Sequence, residues 1–142
     1  MSRGSTAKQV LESLSQQPVF ARCSKKELEA VARLGTSILI EPGYVLTREG
    51  RRGYEFFVIL EGEASCTIAG EKVNTLTAGD FFGEVALLHD GTRSATIIAE
   101  TPMQVIVIDS REFSGMIGDA PSAARQIMGK LAERLRNAQP TA

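Results

Sequence analysis

The feature that most limits how this chain can fold is a run of short, glycine-jointed segments in its middle. From Thr36 to Asp109 β-branched residues dominate and apolar residues recur with a period of two, the pattern of extended strands. Seven segments read as strands, at 37–41, 44–48, 55–61, 63–68, 71–76, 94–100 and 104–109. Gly43, Gly50, Gly53, Gly62, Gly70 and Gly79 stand at or near the joints, where tight turning or positive φ is wanted. Many short strands with a turn every eight to twelve residues or so point to a small barrel or jelly roll.

Helical patterns flank this middle. Val10, Leu11 and Leu14 recur at helical spacing, and Pro18-Val19-Phe20 reads as a packed connector. Ser24-Lys25-Lys26-Glu27 predicts a capping box, with Ser24 capping and Glu27 reaching back, ahead of a helix that buries Leu28, Val31 and Ala32. A second helical region starts at 110–113 and breaks near Gly118-Asp119-Ala120-Pro121. Pro121 suits the first turn of a final helix over 122–138, with an apolar stripe of Ala124, Ile127, Met128, Leu131, Leu135 and Ala138.

At 142 residues the chain reads as one domain, divided into N-terminal helices at 6–35, a β region at 36–109 and C-terminal helices at 110–138. A net charge of −1 gives no general attraction to nucleic acid or an anionic membrane. The longest apolar runs, 56–60 and 105–108, are strand-sized, and 1–9 lacks the apolar core of a signal peptide, so a cytoplasmic location is expected. Cys23 and Cys66 are too few for a disulfide framework or a metal knuckle and read as small buried apolar residues.

The stretch from Phe82 to Thr96 carries the chemistry. Arg93 offers a rigid fork of donors that matches a phosphate, and Glu84 can accept hydrogen bonds from a sugar hydroxyl. Gly83 removes a side chain beside Glu84, and 84–88 can start a short helix whose free amides favour an anion. Together these groups suit a small phosphorylated, hydroxyl-bearing ligand.

The pattern Phe82-Gly83-Glu84, Ala86-Leu87, a short polar loop, then Arg93-x-Ala95-Thr96 resembles the phosphate-binding cassette of the cyclic nucleotide-binding domain family. The resemblance extends upstream through Glu41-Pro42-Gly43, Glu49-Gly50, 56–59, Glu61-Gly62 and Ala78-Gly79-Asp80, and so covers most of the chain. It implies an eight-stranded β-roll, a double-stranded β-helix or jelly roll, with N-terminal helices and C-terminal hinge and lid helices. It also implies a ligand, cAMP or cGMP, and roles for the cassette residues. Arg93 would pair with the cyclic phosphate, and Glu84 would accept from the ribose 2′-hydroxyl. Gly83, Val85 and Ala86 would contribute backbone that the phosphate approaches closely, and Ala95 continues the motif.

Phe81 and Phe82 read as core residues, and because adjacent strand residues point opposite ways at most one can face the pocket. Ser94 stands where family members place a hydroxyl near the phosphate or a guanine amine; serine rather than threonine favours cAMP. Thr92 replaces a proline common before the arginine, and Arg51, Arg52 and Tyr54 stand where acids or small residues are common; none of these departures touches a contact residue. Family members cover the base with a residue of the last helix, for which Leu131, Arg134 and Leu135 are the candidates here, each equally readable as apolar stripe or solvated basic face. No aromatic residue stands in that helix.

Other functions fit the residues less well. A metal-dependent β-roll enzyme needs several imidazole or carboxylate ligands, whereas His89 is the sole histidine, so neither a metal site, a cofactor nor a catalytic residue is assigned. The final helix carries +3, from Arg125, Lys130, Arg134 and Arg136 against Glu133, a weak footprint for DNA, and no recognition helix follows it. The expectation is therefore a stand-alone cyclic-nucleotide sensor domain that acts on an effector protein in trans, with a homodimer through the last helix as a further partner and neither nucleic acid nor membrane bound. The alternative is a degenerate β-roll that serves only as a protein-interaction module.

Overall fold

The computed structural model describes residues 7–83 and 92–138, without the side chains of Leu135, Asn137 and Ala138. Helix α1 (Ala7–Ser15) buries Val10 and Leu14, and a single 3-10 turn (Pro18–Phe20) buries Val19 and Phe20. Ser24 caps α2 (Lys25–Leu34): its Oγ accepts from the Glu27 N–H at 3.1 Å, and Glu27 Oε1 accepts from the Ser24 N–H at 3.1 Å. That helix buries Leu28, Ala30 and Val31, while Ala32 is only half-buried.

Eight strands follow among the described residues: β1 (Thr36–Ile40), β2 (Val45–Thr47), β3 (Glu55–Glu61), β4 (Ala64–Ile68), β5 (Glu71–Leu76), β6 (Phe81–Phe82), β7 (Thr96–Ala99) and β8 (Met103–Asp109). They pair antiparallel in two four-stranded sheets, ordered β1-β8-β3-β6 and β2-β7-β4-β5, the β-roll. The chain ends in α3 (Ser110–Asp119) and α4 (Pro121–Ala138), which Pro121 separates at a first-turn position. A second capping box starts α3: Asp109 accepts from the Glu112 N–H and Glu112 accepts from the Asp109 N–H. The motif Asp-x-x-Glu was readable at that point and marks the strand-to-helix change.

Two departures from periodicity have local causes. β6 is a two-residue strand that stops at Gly83, whose φ is +84°, so it is too short to show any alternation. β7 starts at Thr96 rather than Ser94 because side chains replace the ladder there. The Thr47 hydroxyl donates to the Ala95 carbonyl at 3.0 Å and Thr96 Oγ1 accepts from the Glu49 N–H at 3.0 Å.

Side-chain alternation splits the core in two. Phe56, Val58 and Leu60 of β3 and Ile106 and Ile108 of β8 face the helices, with Phe81, Phe113, Met116, Ile127 and Leu131. Phe57, Ile59 and Val105 face the opposite sheet, with Phe82, Ile97 and Met103. Strands β3 and β8 are thus covered on both faces, which explains their continuous apolar runs. Met128, assigned to the apolar stripe of the last helix, is instead 54% exposed; the buried stripe there is Ala123, Ala124, Ile127 and Leu131. Cys23 and Cys66 are half-buried thiols beside the two cores, with no disulfide between them, and burial followed by the Glu27 carboxylate pushes Cys23 up to about 11. Among the described residues no helix is long and apolar enough to cross a membrane.

The last helix is fastened at its start. Glu27, already part of the α2 cap, also accepts from the Ser122 N–H at 2.8 Å through its second oxygen. Gln126, with its amide turned to suit its neighbours, donates to the Pro18 and Val19 carbonyls and accepts from the Arg22 N–H.

Candidate functional site

One cavity of about 250 Å³ lies where β6, the segment 93–95, the β2-β7-β4-β5 sheet and the last helix meet. Its floor is a single row across that sheet. Thr47 pairs with Ile97, Ile97 with Cys66 and Cys66 with Asn74, and all four line the cavity. None of the four carries a sequence motif. They converge because strand register places them side by side, and only the inward phase of each alternation hinted at their direction. Leu76 closes the floor near β6.

Arg93 stands at one end, with a side chain only 7% exposed. Its Nη1 donates to the Gly83 carbonyl at 3.4 Å, its Nη2 lies 3.7 Å from Glu55 Oε1, and its Cζ lies 5.9 Å from the Phe57 ring centroid. The backbone holds it too: its N–H donates to the Arg51 carbonyl at 2.7 Å and its carbonyl accepts from the Gly50 N–H at 2.9 Å. Two glycines leave room for the guanidinium. A Cβ on Gly53 would fall on the guanidinium itself, and one on Gly83 would meet the Glu55 carbonyl at 2.6 Å and Arg93 Nη1 at 2.9 Å. The Glu55 carboxylate is itself 54% exposed, so this ion pair is a weak competitor for any anion that enters.

Gly83, Ser94 and Ala95 border the cavity beside Arg93. Phe82 borders it as well, buried and stacked on Phe57 with ring centroids 4.7 Å apart and planes at 13°. Phe81 and Phe82 belong to different cores, as alternation requires, yet both border the cavity. At most one was expected there; the β6 backbone runs along the cavity edge, so both residues reach it. Glu84, Val85 and Ala86 lie outside the described residues, as does His89.

Arg134 of the last helix forms the other end. Its Nη2 donates to the Phe81 carbonyl at 2.9 Å, and its Cζ sits 4.1 Å from the Phe81 ring centroid, a cation–π contact. Of the two lid candidates whose side chains are described, Arg134 lines the cavity. Leu131, 5% exposed, packs into the helix-side core because its turn of α4 faces β3 and α2 rather than the cavity. The side chain of Leu135 lies outside the described residues.

The assembly can do three things chemically: pair an anion at Arg93, lay a ring system along a mostly apolar floor, and cover that ring with a guanidinium plane.

Comparisons with known proteins bear on the family and the fold. Residues 38–119 match the family model described as the cyclic nucleotide-binding domain. The cGMP-dependent protein kinase egl-4 of Caenorhabditis briggsae is 36% identical over 118 residues, covering 78% of this chain and 16% of its own length. The cAMP-dependent protein kinase regulatory subunit of Yarrowia lipolytica is 37% identical over 107 residues, covering 74% of this chain and 28% of its own length. The chain therefore spans under a third of either relative. Among solved structures, cAMP-bound PfPKA-R superposes with a TM-score of 0.79 at 28% identity, over 94% of this chain and 46% of that one.

Proposed function

The chain belongs to the cyclic nucleotide-binding domain family, and we propose that it works as a regulatory domain whose ligand is cAMP in preference to cGMP. The observation that carries this reading is Arg93, a guanidinium buried in the wall of a cavity and set on the segment that matches the family motif. A cyclic phosphodiester has one negative charge, which one guanidinium balances with two parallel hydrogen bonds. The half-exposed Glu55 carboxylate yields its share of the fork as the phosphate arrives.

In this reading the backbone of Gly83, Val85 and Ala86 surrounds the phosphate, and Glu84 accepts from the ribose 2′-hydroxyl. Ser94 adds a hydroxyl beside the phosphate without the methyl of a threonine, and Ala95 leaves space against the floor. The base lies over Ile97 and Cys66 toward Arg134, whose guanidinium plane stacks on it. The C-terminal helices close over the ligand and transmit its arrival to a protein effector in trans. Such a switch draws only on the difference in affinity between open and closed states.

The relatives named for cAMP and for cGMP are about equally similar to this chain, so the choice of base rests on Ser94 and the cavity wall. Isothermal titration calorimetry of the protein with cAMP, cGMP and 5′-AMP side by side tests the proposal. Saturable binding is expected for cAMP, weaker binding for cGMP, and weakest for 5′-AMP, whose open phosphate carries more charge and a different shape. Binding of none of the three would move the β-roll to the alternative role of a protein-interaction module.

A further inference from the structure

A second cleft, of about 250 Å³, opens beside Arg93 on the side of β2 and the loop 48–53. Arg48, Arg51, Arg52 and Arg93 line it together with, among the described residues, a single carboxylate, Glu55. Glu55 is engaged with Arg93, and the neighbouring Glu49 is turned away, where its Oε1 accepts from the Ala69 N–H at 2.9 Å. The guanidinium groups of Arg48, Arg51 and Arg52 are exposed and, among the described residues, make no hydrogen bond or ion pair. Three unpaired cations so close together repel one another, in a chain whose net charge is −1.

The loop that carries them is held in place. Arg51 N–H donates to the Arg48 carbonyl at 3.1 Å, Gly50 N–H to Arg93 at 2.9 Å, and Arg93 N–H to Arg51 at 2.7 Å, while Arg52 forms a bridge with Thr92. The backbone therefore fixes where the three side chains start, which lowers the entropy lost when they are engaged. The fork of each arginine matches a carboxylate through two parallel bonds.

We propose that this cleft is a docking site for an acidic segment of a protein partner, with two or three Asp or Glu carboxylates taken by Arg48, Arg51 and Arg52. Carboxylates on separate flexible stems can reach three forks around a small cleft. A nucleic-acid strand fits less well: among the described residues no aromatic side chain lines the cleft to stack a base, and three cations make a short electrostatic track. Thr47 and Arg93 border both cavities, but Arg48, Arg51 and Arg52, which take the carboxylates, line only this one.

Fluorescence anisotropy with a labelled octaglutamate peptide, at about 0.15 M salt, tests the proposal. Saturable binding is expected, weakened about tenfold or more in the triple variant Arg48→Gln, Arg51→Gln, Arg52→Gln. A control variant, Arg125→Gln, Lys130→Gln, Arg136→Gln, removes the same charge from the last helix and should change affinity less than about twofold. The double variant Arg51→Lys, Arg52→Lys keeps the charge, loses the forks and should fall between. Equal losses in the two triple variants would reduce the effect to net charge and overturn the site. So would the absence of saturable binding, inorganic phosphate displacing the peptide at equal concentration, or octathymidylate binding more tightly than octaglutamate.

Discussion

The two arginines that line the cavity among the described residues are held in opposite ways. Arg93 sits between two β segments, with its main chain bonded on both sides and its side chain threaded past Gly53 and Gly83. Arg134 projects from the final helix, and its contacts include the Phe81 carbonyl and the Phe81 ring. The first is fixed by the sheet, so it can present charge in a set place. In the proposed reading the second moves with its helix and arrives over a ligand already seated. Replacing either residue separates the contribution of the fixed end from that of the movable one.

The largest effect is expected at the fixed end. Arg93→Ala should cost roughly 2–5 kcal/mol of cAMP binding, the range for truncating one partner of a buried charge pair. Calorimetry showing wild-type affinity in that variant would remove the phosphate role and with it the comparison. Gly53→Ala tests the same end without touching the arginine. Its new methyl must displace the guanidinium, an overpacking effect of about 1–3 kcal/mol, and cAMP affinity should drop while circular dichroism still reports a folded β protein. Unchanged affinity in Gly53→Ala would mean that Arg93 binds from another rotamer.

The same contrast separates what was legible in the sequence from what was not. Arg93 and Gly83 stood inside a contiguous pattern, and Ser24 with Glu27 announced a helix start, because both depend on neighbours within a few residues. Strand existence was legible too, since alternation and glycine joints are local. The floor row of Thr47, Ile97, Cys66 and Asn74 was not, because register between strands far apart in sequence has no local trace. Helical phase at the end of the chain was only partly readable. Leu131 and Met128 both fit an apolar stripe, yet packing buries the first and exposes the second. The choice of Arg134 over Leu131 at the cavity needed the position of the helix against β6, which the stripe alone does not give.

At the movable end the expected effect is smaller. Arg134→Ala removes a cation–π contact and one hydrogen bond, and should cost cAMP about 1–2 kcal/mol, measured by the same calorimetry. Arg134→Lys keeps the charge but loses the planar stacking surface and should recover only part of the loss. A loss in Arg134→Ala larger than in Arg93→Ala would reverse the ranking and make the helix, not the sheet, the main source of affinity.

The smallest effect concerns how the movable helix is anchored. Glu27 accepts from the Ser24 and Ser122 N–H groups at once, and these hydrogen bonds, that from Ser24 foremost, hold its carboxyl below the ordinary 4.5. Because the folded-state value is depressed, the anchor contributes fully above the unfolded value and is lost as pH falls through the folded one. Thermal melts of wild type and Glu27→Gln, taken from about pH 7 down to about pH 3, should therefore show the wild type more stable at neutral pH by a few degrees. The gap should close as the medium turns acid, since both side chains are then neutral. A gap that persisted unchanged at the acid end would mean that the carboxylate charge plays no part. Glu27 would then hold the helix carrying Arg134 through the shape and hydrogen bonds of its side chain rather than as an anion.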